Sequence, residues 1–269
     1  MESTILSINN VNKSFGGVIT SKNVTFDVPR GAIYGLIGPN GAGKSTLMNV
    51  ISGFYSADSG SILLDGKEIS HLPPHTRSRL GIGRTFQTPR FLSRANIDVN
   101  LRLGDDLKNH HIGYLKSYFS SQNKNFENNL DELMRLTGFS IDLNKKISSL
   151  TYGQQKILEI VRAMLASPKI MLVDEPCAGL NDKECENVVA MLRDAAYNRG
   201  IGILLIEHSM DVVMQICEQI VVLNFGEVIA NGSPEQILSN EEVIAAYLGR
   251  DKDLSLIHIS EPTRHAQIS

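Results

Sequence analysis

The sequence predicts an α/β fold in which a mainly parallel β-sheet is covered by helices on both faces. Short apolar runs alternate with longer segments of helical spacing, which is the pattern of βαβ units. A glycine-rich turn, GPNGAGKST, joins one apolar run to a helix. Asp174 and Glu175 close another apolar run, and ligands bind at the carboxyl ends of strands in open α/β sheets.

The composition is that of a folded globular protein with a nearly neutral charge balance. The chain has 269 residues, 42% hydrophobic content and a formal net charge of −3, so it can bury a proper core and has no overall electrostatic reason to bind nucleic acid. It shows no secretion signal and no apolar segment of bilayer length, which predicts a cytoplasmic protein, soluble or peripheral on a membrane. Cys177, Cys185 and Cys217 lack metal-ligand spacing and are odd in number, so we expect reduced packing residues.

The segment before the glycine-rich turn predicts a short antiparallel sheet. Apolar positions come close to alternating from Ile5 to Val11 and from Asn23 to Val28. Phe15 lies in the connection. Its ring either plugs the sheet or stacks on a purine through its π face, and the residue alone favours packing.

The glycine-rich turn predicts a nucleotide phosphate site. Gly38, Gly43, Lys44 and Ser45 satisfy the spacing G-x-x-x-x-G-K-[ST]. In such a loop the backbone N–H groups wrap a phosphate chain, the lysine reaches the β and γ oxygens, and the hydroxyl binds Mg²⁺. The apolar run Ile33 to Ile37 predicts a buried strand before the loop, and a helix follows whose N-terminus faces the phosphates.

The next segment predicts a hairpin, a short helix and a core strand. Gly60 to Gly66 forms the hairpin, and Pro73 opens a helix to about Leu80. Residues 81 to 87 suit a strand that ends in Gln87, which either coordinates Mg²⁺ or a water, or is a solvated loop residue; the residue alone favours the loop. A basic cluster here is interpreted as a solvated or partner-facing surface: Arg77, Arg79, Arg84 and Arg90.

Residues 92 to 147 predict a helical insertion between two halves of the α/β core. Asn, Lys and Ser become more frequent there, glycine becomes rarer, and Phe126 to Leu136 shows helical spacing. We expect surface loops around residues 104 to 129. A further helix runs from Gln154 to Ala166.

Asp174 and Glu175 follow the apolar run Ile170 to Val173. A strand-end acid either caps the next helix or binds a metal, and the phosphate loop favours the metal. Asp174 is then the predicted Mg²⁺ ligand, and Glu175 is free to align and deprotonate a water.

The alternation continues beyond these acids to about residue 248. The predicted elements are a helix from Asp182 to Asn198, a strand from Ile201 to Ile206, a helix from Met210 to Cys217, a hairpin over 220 to 230 and two short helices over 234 to 248. His208 follows the strand. A single histidine is more often structural, but at this sheet edge its imidazole could reach a γ-phosphate.

Together these motifs resemble the ATP-binding cassette (ABC) ATPases over about residues 4 to 250. The matching segments are the phosphate loop, the glutamine loop, the signature, the second carboxylate motif and the switch histidine: Gly38 to Thr46, Gln87, Leu150 to Gln154, Ile170 to Pro176 and His208. The resemblance implies a P-loop NTPase (RecA-like) core with a mainly parallel sheet, an N-terminal antiparallel β subdomain and an inserted α-helical subdomain. It places one domain at 1–250, with the core at about 1–90 and 160–250 and the helical subdomain at about 91–159.

The resemblance also implies an ATPase that uses ATP and Mg²⁺, and it assigns the site residues. The implied ATP-binding residues are Phe15, Gly38, Pro39, Asn40, Gly41, Ala42, Gly43, Lys44, Ser45 and Thr46. The implied metal ligands are Ser45, Gln87 and Asp174, and the implied catalytic residues are Glu175, His208 and Gln87.

Two subunits of this family pack head to tail, so that each ATP lies between one subunit's phosphate loop and the other's signature. The implied signature residues are Leu150, Thr151, Tyr152, Gly153 and Gln154. LTYGQ departs from the common LSGGQ but keeps a hydroxyl and the second glycine. The Thr151 hydroxyl, the Gly153 N–H and a helix N-terminus would approach the γ-phosphate across the interface.

Other segments resemble the ATPase subunits of branched-chain amino-acid importers: YGQQ at 152–155, EPCAGLN at 175–181, IEHSM at 206–210 and ANGSPEQI at 230–237. The implied function is to couple ATP-driven dimer closure to a membrane permease. The alternatives are related systems for amide or urea uptake or for lipopolysaccharide export. A soluble ABC ATPase without a transport role is a further alternative that the motifs favour less.

The implied partners are membrane permease subunits and a second ABC ATPase subunit, identical or different. A periplasmic binding protein belongs to such a system without direct contact, and no nucleic acid is expected. The implied location is peripheral, on the cytoplasmic face of the plasma membrane. Residues 251–269 continue no family pattern, and LSLIHISEPTRH at 254–265 resembles translated sequencing-adapter read-through, so we expect the native chain to end near Arg250 or Asp251.

Overall fold

The computed structural model of the chain describes residues 3–108 and 122–248. Within them lie two β-sheets. The first is antiparallel and contains, in spatial order, β2 (Val18–Pro29), β1 (Thr4–Phe15), β4 (Ser59–Leu64) and β5 (Lys67–Glu68). The second contains β10 (Glu227–Gly232), β9 (Gln219–Asn224), β3 (Ile33–Ile37), β8 (Gly202–Ile206), β7 (Ile170–Asp174) and β6 (Ile82–Arg84). All neighbours in the second sheet are parallel except β10 and β9.

The helices of the described residues precede, follow or separate these strands. They are α1 (Lys44–Ser52), α2 (Pro74–Leu80), α3 (Ile97–Lys108), α4 (Gln122–Leu136), α5 (Tyr152–Leu165), α6 (Asp182–Arg193), α7 (Met210–Ile216), α8 (Pro234–Leu238) and α9 (Glu241–Leu248). A 3₁₀ turn lies at Ile147–Ser149, and a π-helical turn at Asp194–Asn198 continues α6. None of the helices over residues 3–108 and 122–248 combines the length and the hydrophobicity of a membrane-spanning segment.

The core lies on both faces of the parallel sheet, because successive side chains of a strand point to opposite faces. In β3, Ile33 and Ile37 join one buried cluster with side chains of α4, α5, α6 and α7, whereas Leu36 joins a second cluster with α1 and the antiparallel sheet. β7 and β8 alternate in the same way. A parallel sheet that is buried on both faces explains why its strands are short uninterrupted apolar runs.

The predicted α/β fold with its antiparallel N-terminal sheet and helical insertion is confirmed, with changes at several boundaries. β1 extends beyond the predicted Val11 to Phe15, and β2 begins at Val18, before the predicted Asn23, and ends at Pro29. The core strand predicted over 81–87 is shorter, since β6 pairs with β7 only over Ile82–Arg84. The stated limits of the core and of the helical subdomain stay predictions.

The expected surface loops around residues 104–129 are wrong where the structure describes that range. Residues 104–108 end α3 and residues 122–129 begin α4. Both helices are amphipathic, and Leu101, Phe126, Leu130 and Leu133 are buried in the larger cluster. Glu127 and Asn128 of α4 are exposed, so the polar residues of an amphipathic helix contribute to the loop-like composition. Residues 109–121 and the predicted non-family tail at 251–269 lie outside the described residues.

The predicted solvated or partner-facing basic cluster is wrong for Arg77. Arg77 is 1% exposed, and its guanidinium donates to the carbonyls of Leu72 (2.8 Å), Val50 (2.7 Å), Ile51 (2.8 Å) and Ser70 (2.6 Å). Arg77 therefore ties the last turn of α1 to the segment before α2. Arg84 is half-buried and donates to the Ser52 hydroxyl at 2.5 Å. Backbone carbonyls can satisfy a buried guanidinium, and sequence spacing does not reveal them.

We predict that Arg77→Met lowers the free energy of unfolding by about 3 kcal/mol, because it leaves buried carbonyls without a donor. Urea denaturation followed by circular dichroism measures the change. Arg79→Met is the matched control, since Arg79 lies on the same helix and is exposed, and it should shift stability by less than about 0.5 kcal/mol. Equal effects of the two substitutions would contradict this role of Arg77.

Candidate functional site

The loops after β3, β6, β7 and β8 meet at one edge of the parallel sheet. They carry Gly38 to Gly43, Gln87, Asp174 with Glu175, and His208. β7 lies between β6 and β8, and β3 lies on the other side of β8. Because these strands are parallel, their carboxyl ends open on the same side. The sheet order therefore brings together segments that are far apart in the sequence.

The phosphate loop connects β3 directly to α1. Gly43 has a φ of +105° and lies against the Thr20 carbonyl of β2, so a side chain at this position would collide with that carbonyl. Ser45 and Thr46 lie in the first turn of α1, where backbone N–H groups lack intrahelical acceptors. Asn40 and Gly41 are exposed, while Gly38, Pro39 and Ala42 are buried. The loop thus presents the donor end of a helix to an anion.

The side chain of Lys44 folds back onto the phosphate loop. Its ammonium donates to the carbonyl oxygens of Gly38 at 2.6 Å and Pro39 at 3.1 Å. Burial lowers the pKa of Lys44, and the neighbouring carboxylates of Glu175 and Asp174 oppose this lowering. A lysine at this position can move a short distance from the loop carbonyls to phosphate oxygens.

The carboxylate of Glu175 lies between two of the other predicted site residues. Its Oε2 accepts from the Gln87 amide at 3.0 Å, and its Oε1 lies 3.0 Å from His208 Nε2. Glu175 has a φ of +47°, which is unusual for a residue with a long side chain, and its N–H donates to the Ile206 carbonyl at 2.8 Å. The structure therefore joins Gln87, Glu175 and His208 into one hydrogen-bonded group.

Asp174 is the last residue of β7 and is buried at the same edge. Its N–H donates to the Thr85 hydroxyl at 3.3 Å. Burial raises the pKa of Asp174, and Arg84 acts in the opposite direction. Asp174, Ser45 and Gln87 offer oxygen ligands, which suit Mg²⁺. Within residues 3–108 and 122–248, no group of three or more His, Cys, Asp and Glu side chains could hold a metal by itself, so Mg²⁺ here would need substrate oxygens as further ligands.

Phe15 ends β1, next to the turn into β2. Its ring is 42% exposed and contacts the ring of Tyr55 edge-on, with centroids 5.1 Å apart. The ammonium of Lys13 lies 4.9 Å from the centroid of the Phe15 ring. A ring that plugged the sheet would be buried, so packing does not explain this position, and the exposed face stays available for a planar ligand.

The signature residues begin α5. Thr151 is its N-cap: the Thr151 hydroxyl accepts from the Gln154 N–H at 3.2 Å, and the Gln154 side chain accepts from the Thr151 N–H at 3.1 Å. Gly153 lies against the carboxylate of Glu184, where an added Cβ would collide with the carboxylate oxygens. Leu150 packs on the larger core cluster. The signature is thus the capped first turn of a helix. Its own capping box and its packing on the core fix its conformation without a contact to the phosphate loop of the same chain.

Two polar residues of α5 and one strand-end acid were missed as site residues. Lys156 donates to the Glu175 carbonyl, and Glu159 accepts from N–H groups on both sides of Gln87. Glu207, buried after β8, accepts from the Cys177 N–H at 2.9 Å and the His208 N–H at 2.8 Å. Lys156 and Glu159 are charged residues in an otherwise largely apolar helix. The sequence alone does not show whether such residues face solvent or contact another part of the protein.

The expectation of three reduced cysteines is wrong for two of them. Cys177 and Cys185 form a disulfide, with Cα atoms 5.2 Å apart. Cys177 follows Glu175 by two residues and Cys185 lies in α6, so the chain between them folds back on itself. An odd number of cysteines allows one such pair. Cys217 is free and buried, and burial raises the pKa of its thiol to about 12.

Comparison with known proteins gives two family matches. The model described as ABC transporter matches residues 21–178. The model described as branched-chain amino acid ATP-binding cassette transporter matches residues 227–253. The two matches together include the phosphate loop, Gln87, the signature, Asp174 with Glu175, and the C-terminal segment that begins with β10.

Three curated relatives resemble the chain over most of its length. It is 37% identical to the high-affinity branched-chain amino acid transport ATP-binding protein BraF of Pseudomonas aeruginosa, over 93% of this chain and 99% of the relative. It is 39% identical to the protein of the same description, LivG, of Escherichia coli, with the same coverage. It is 32% identical to the lipopolysaccharide export system ATP-binding protein LptB of Haemophilus influenzae, over 91% of this chain and 98% of the relative. This identity is lower than that to BraF or LivG.

Solved structures share the fold. One is the ADP conformation of an ATP-binding cassette of an ABC transporter, with a TM-score of 0.77 and 30% identity over 91% of this chain and 99% of that chain. A dimeric bacterial ABC transporter cassette has a TM-score of 0.74 and 25% identity over 86% of this chain and 99% of that chain.

Proposed function

Because this chain belongs to the ABC transporter family and is an ATP-binding and ATP-hydrolysing protein, we propose that it is the energy-coupling subunit of an importer of branched-chain amino acids. The proposed substrate class is supported by the branched-chain family match at residues 227–253 and by the two relatives of that description. One observation supports the proposed chemistry most directly: the Glu175 carboxylate is held between Gln87 and His208 beside the phosphate loop.

ATP binding is proposed to use the exposed ring of Phe15 and the loop from Gly38 to Thr46. The ring offers a stacking face to adenine. The N–H groups of the loop and of the first turn of α1 surround the phosphates, and Lys44 moves from the Gly38 and Pro39 carbonyls to phosphate oxygens. Ser45, Gln87 and Asp174 would hold Mg²⁺, which neutralises charge on the phosphates when it is bound.

Hydrolysis is proposed to use Glu175 as the general base. Its carboxylate aligns a water and accepts a proton from it as the water attacks the γ-phosphorus, while the bond from this phosphorus to the β,γ-bridging oxygen breaks and ADP leaves. Gln87 and His208 hold this carboxylate in place in the structure, and both can turn to the γ-phosphate once nucleotide occupies the loop. The left-handed backbone of Glu175 is the kind of strain that clusters at functional sites.

The signature is proposed to act on ATP that is bound by a second subunit, identical or different, packed head to tail. The solved bacterial cassette that is 25% identical to this chain is a dimer. The exposed N-cap Thr151 and the helix start that follows it offer a hydroxyl and free N–H groups to an anion. ATP would then hold the two subunits together, and hydrolysis would loosen them.

A groove between the core and the inserted helices is the proposed docking site of a permease. Its volume is about 470 Å³, and its lining includes Phe54, Arg84 and Arg162 of the core and Leu103 of the insertion. Phe54 is 53% exposed. Phe86, next to Gln87, also lines the groove. A mainly apolar groove beside the glutamine loop suits a helical segment of a membrane protein. The location is then peripheral, on the cytoplasmic face of the membrane, and a periplasmic binding protein of the system makes no direct contact.

Amino-acid uptake tests the function. Deletion of the gene in its source organism should abolish high-affinity uptake of radiolabelled leucine, isoleucine or valine, and the wild-type gene should restore it while Glu175→Gln should not. A tagged chain should recover permease subunits from detergent extracts, and Phe54→Asp should reduce that recovery while Leu238→Asp, at an exposed leucine of α8, should not. Unchanged uptake with loss of amide or urea uptake, or recovery with ribosomes and not with membranes, would contradict the proposal.

We predict that Glu175→Gln lowers ATP turnover by about 10³-fold, since a general base contributes roughly 10²–10⁴-fold, while the Kd for ATP stays within a few-fold. Lys44→Ala should weaken ATP binding itself by about 10- to 100-fold through loss of charge-assisted hydrogen bonds. Phosphate release and fluorescent-nucleotide titration measure the two effects. Glu186→Gln, at an exposed carboxylate of α6, is the control. Wild-type turnover in Glu175→Gln would exclude Glu175 as the base.

A further inference from the structure

We propose that three side chains on one face of α5, Tyr152, Lys156 and Glu159, are positioning residues that hold the loops of Gln87 and Glu175 in register with the signature end of the same helix. The proposal rests on the proposed function and deepens it. It identifies the physical connection through which a displacement of the signature reaches the group that activates water.

The three residues lie at spacings of four and three along the helix, which places them on one face. The Tyr152 hydroxyl donates to the Gln87 carbonyl at 3.1 Å. The Lys156 ammonium donates to the Glu175 carbonyl. Glu159 accepts from the Phe86 N–H at 3.4 Å. One helix face therefore contacts the backbone of both catalytic loops.

Glu159 holds the glutamine loop on both sides of Gln87. Besides the Phe86 N–H, its carboxylate accepts from the Arg90 N–H at 3.3 Å. The side chain is 2% exposed, and Arg162, one turn further along α5, lies 3.6 Å away. Burial raises the pKa of Glu159, while the two N–H groups and Arg162 oppose the rise. Burial of a carboxylate is costly unless it is hydrogen-bonded, and here the main donors are the two ends of the loop.

Lys156 supports the unusual backbone of Glu175. The ammonium is buried, and burial lowers the pKa of Lys156 against the opposing effect of four nearby carboxylates: Glu207, Glu175, Glu159 and Asp174. Its contact is with the carbonyl of Glu175, the residue whose φ is +47°. This contact stabilises a sparsely populated backbone conformation at the residue whose carboxylate contacts Gln87 and His208.

Tyr152 connects the signature itself to the glutamine loop of the same chain. It is one of the signature residues that are expected to face the nucleotide of the opposite subunit, and its hydroxyl is bonded within its own subunit. Its ring lies 5.8 Å from the Lys156 ammonium. A tyrosine at a position where the family commonly has glycine therefore extends the contact face of α5 to the first turn of the helix.

The consequence is a rigid connection. α5 is a capped helix of 14 residues, so a shift of its Thr151 end moves Tyr152, Lys156 and Glu159 together. ATP binding at the phosphate loop does not need these contacts, whereas alignment of Gln87 and Glu175 does. Loss of the contacts should therefore lower kcat for ATP hydrolysis and leave the Kd for ATP unchanged.

The kinetics of four variants of the full chain test whether these contacts align Gln87 and Glu175. Glu159→Ala and Lys156→Met should each lower kcat at least tenfold with the Kd for ATP within twofold, and Lys156→Arg, which keeps a cationic donor, should recover most of the Lys156→Met loss. Ile157→Ala is the matched control, because Ile157 is equally buried on α5 in the larger core cluster. It should lower the melting temperature and leave kcat within threefold. Unchanged kcat in Glu159→Ala and Lys156→Met, or an equal loss in Ile157→Ala, would overturn the proposal.

Hydrogen exchange of the nucleotide-free chain tests the same contacts without ATP hydrolysis. In Glu159→Ala, amide exchange in the peptide covering 85–90 should increase at least tenfold, and in Lys156→Met so should exchange in the peptide covering 174–178. Ile157→Ala should leave both peptides at wild-type rates. Wild-type exchange in both mutants would overturn the positioning role whether or not the chain hydrolyses ATP. Faster exchange in a chain without ATPase activity would instead contradict the proposed function alone.

Discussion

The position of the Glu175 carboxylate, 3.0 Å from both Gln87 Nε2 and His208 Nε2, is the arrangement on which the rest of the site depends. It exists because β6, β7 and β8 are adjacent and parallel, so that the three loops after them meet. The left-handed φ of Glu175 bends the chain away from the strand direction at this point. A different strand order would leave the same residues in the sequence and separate them in space.

Much of the fold and of the site could be predicted from the sequence, because their signals are local. A strand buried on both faces needs an apolar run, a phosphate loop needs glycines at fixed spacing, and carboxylates at a strand end are visible directly after such a run. Local signals also explain the errors. The composition around residues 104–129 suggests loops, but the amphipathic faces of α3 and α4 bury Leu101 and Phe126.

What the sequence could not reveal is which polar side chains find backbone partners inside the protein. Arg77 binds carbonyls, Lys156 binds the Glu175 carbonyl, and Glu159 binds N–H groups. Each is charged and buried, and each is hydrogen-bonded, as a buried charge must be. A charged residue on a predicted helix looks the same in the sequence whether it faces water or a distant loop. The contact between Gln87 and Glu175 and the disulfide of Cys177 with Cys185 depend on tertiary structure for the same reason.

A structure of the Glu175→Gln variant with ATP and Mg²⁺ tests the central claim most directly, because loss of the base should trap the nucleotide. We expect the triphosphate to lie in the loop from Gly38 to Thr46 and the Lys44 ammonium to have left the Gly38 and Pro39 carbonyls for phosphate oxygens. We also expect the side chains at 87, 175 and 208 to surround the γ-phosphate. A triphosphate bound elsewhere, or one whose γ-phosphate lies beyond the reach of residue 175, would contradict the account.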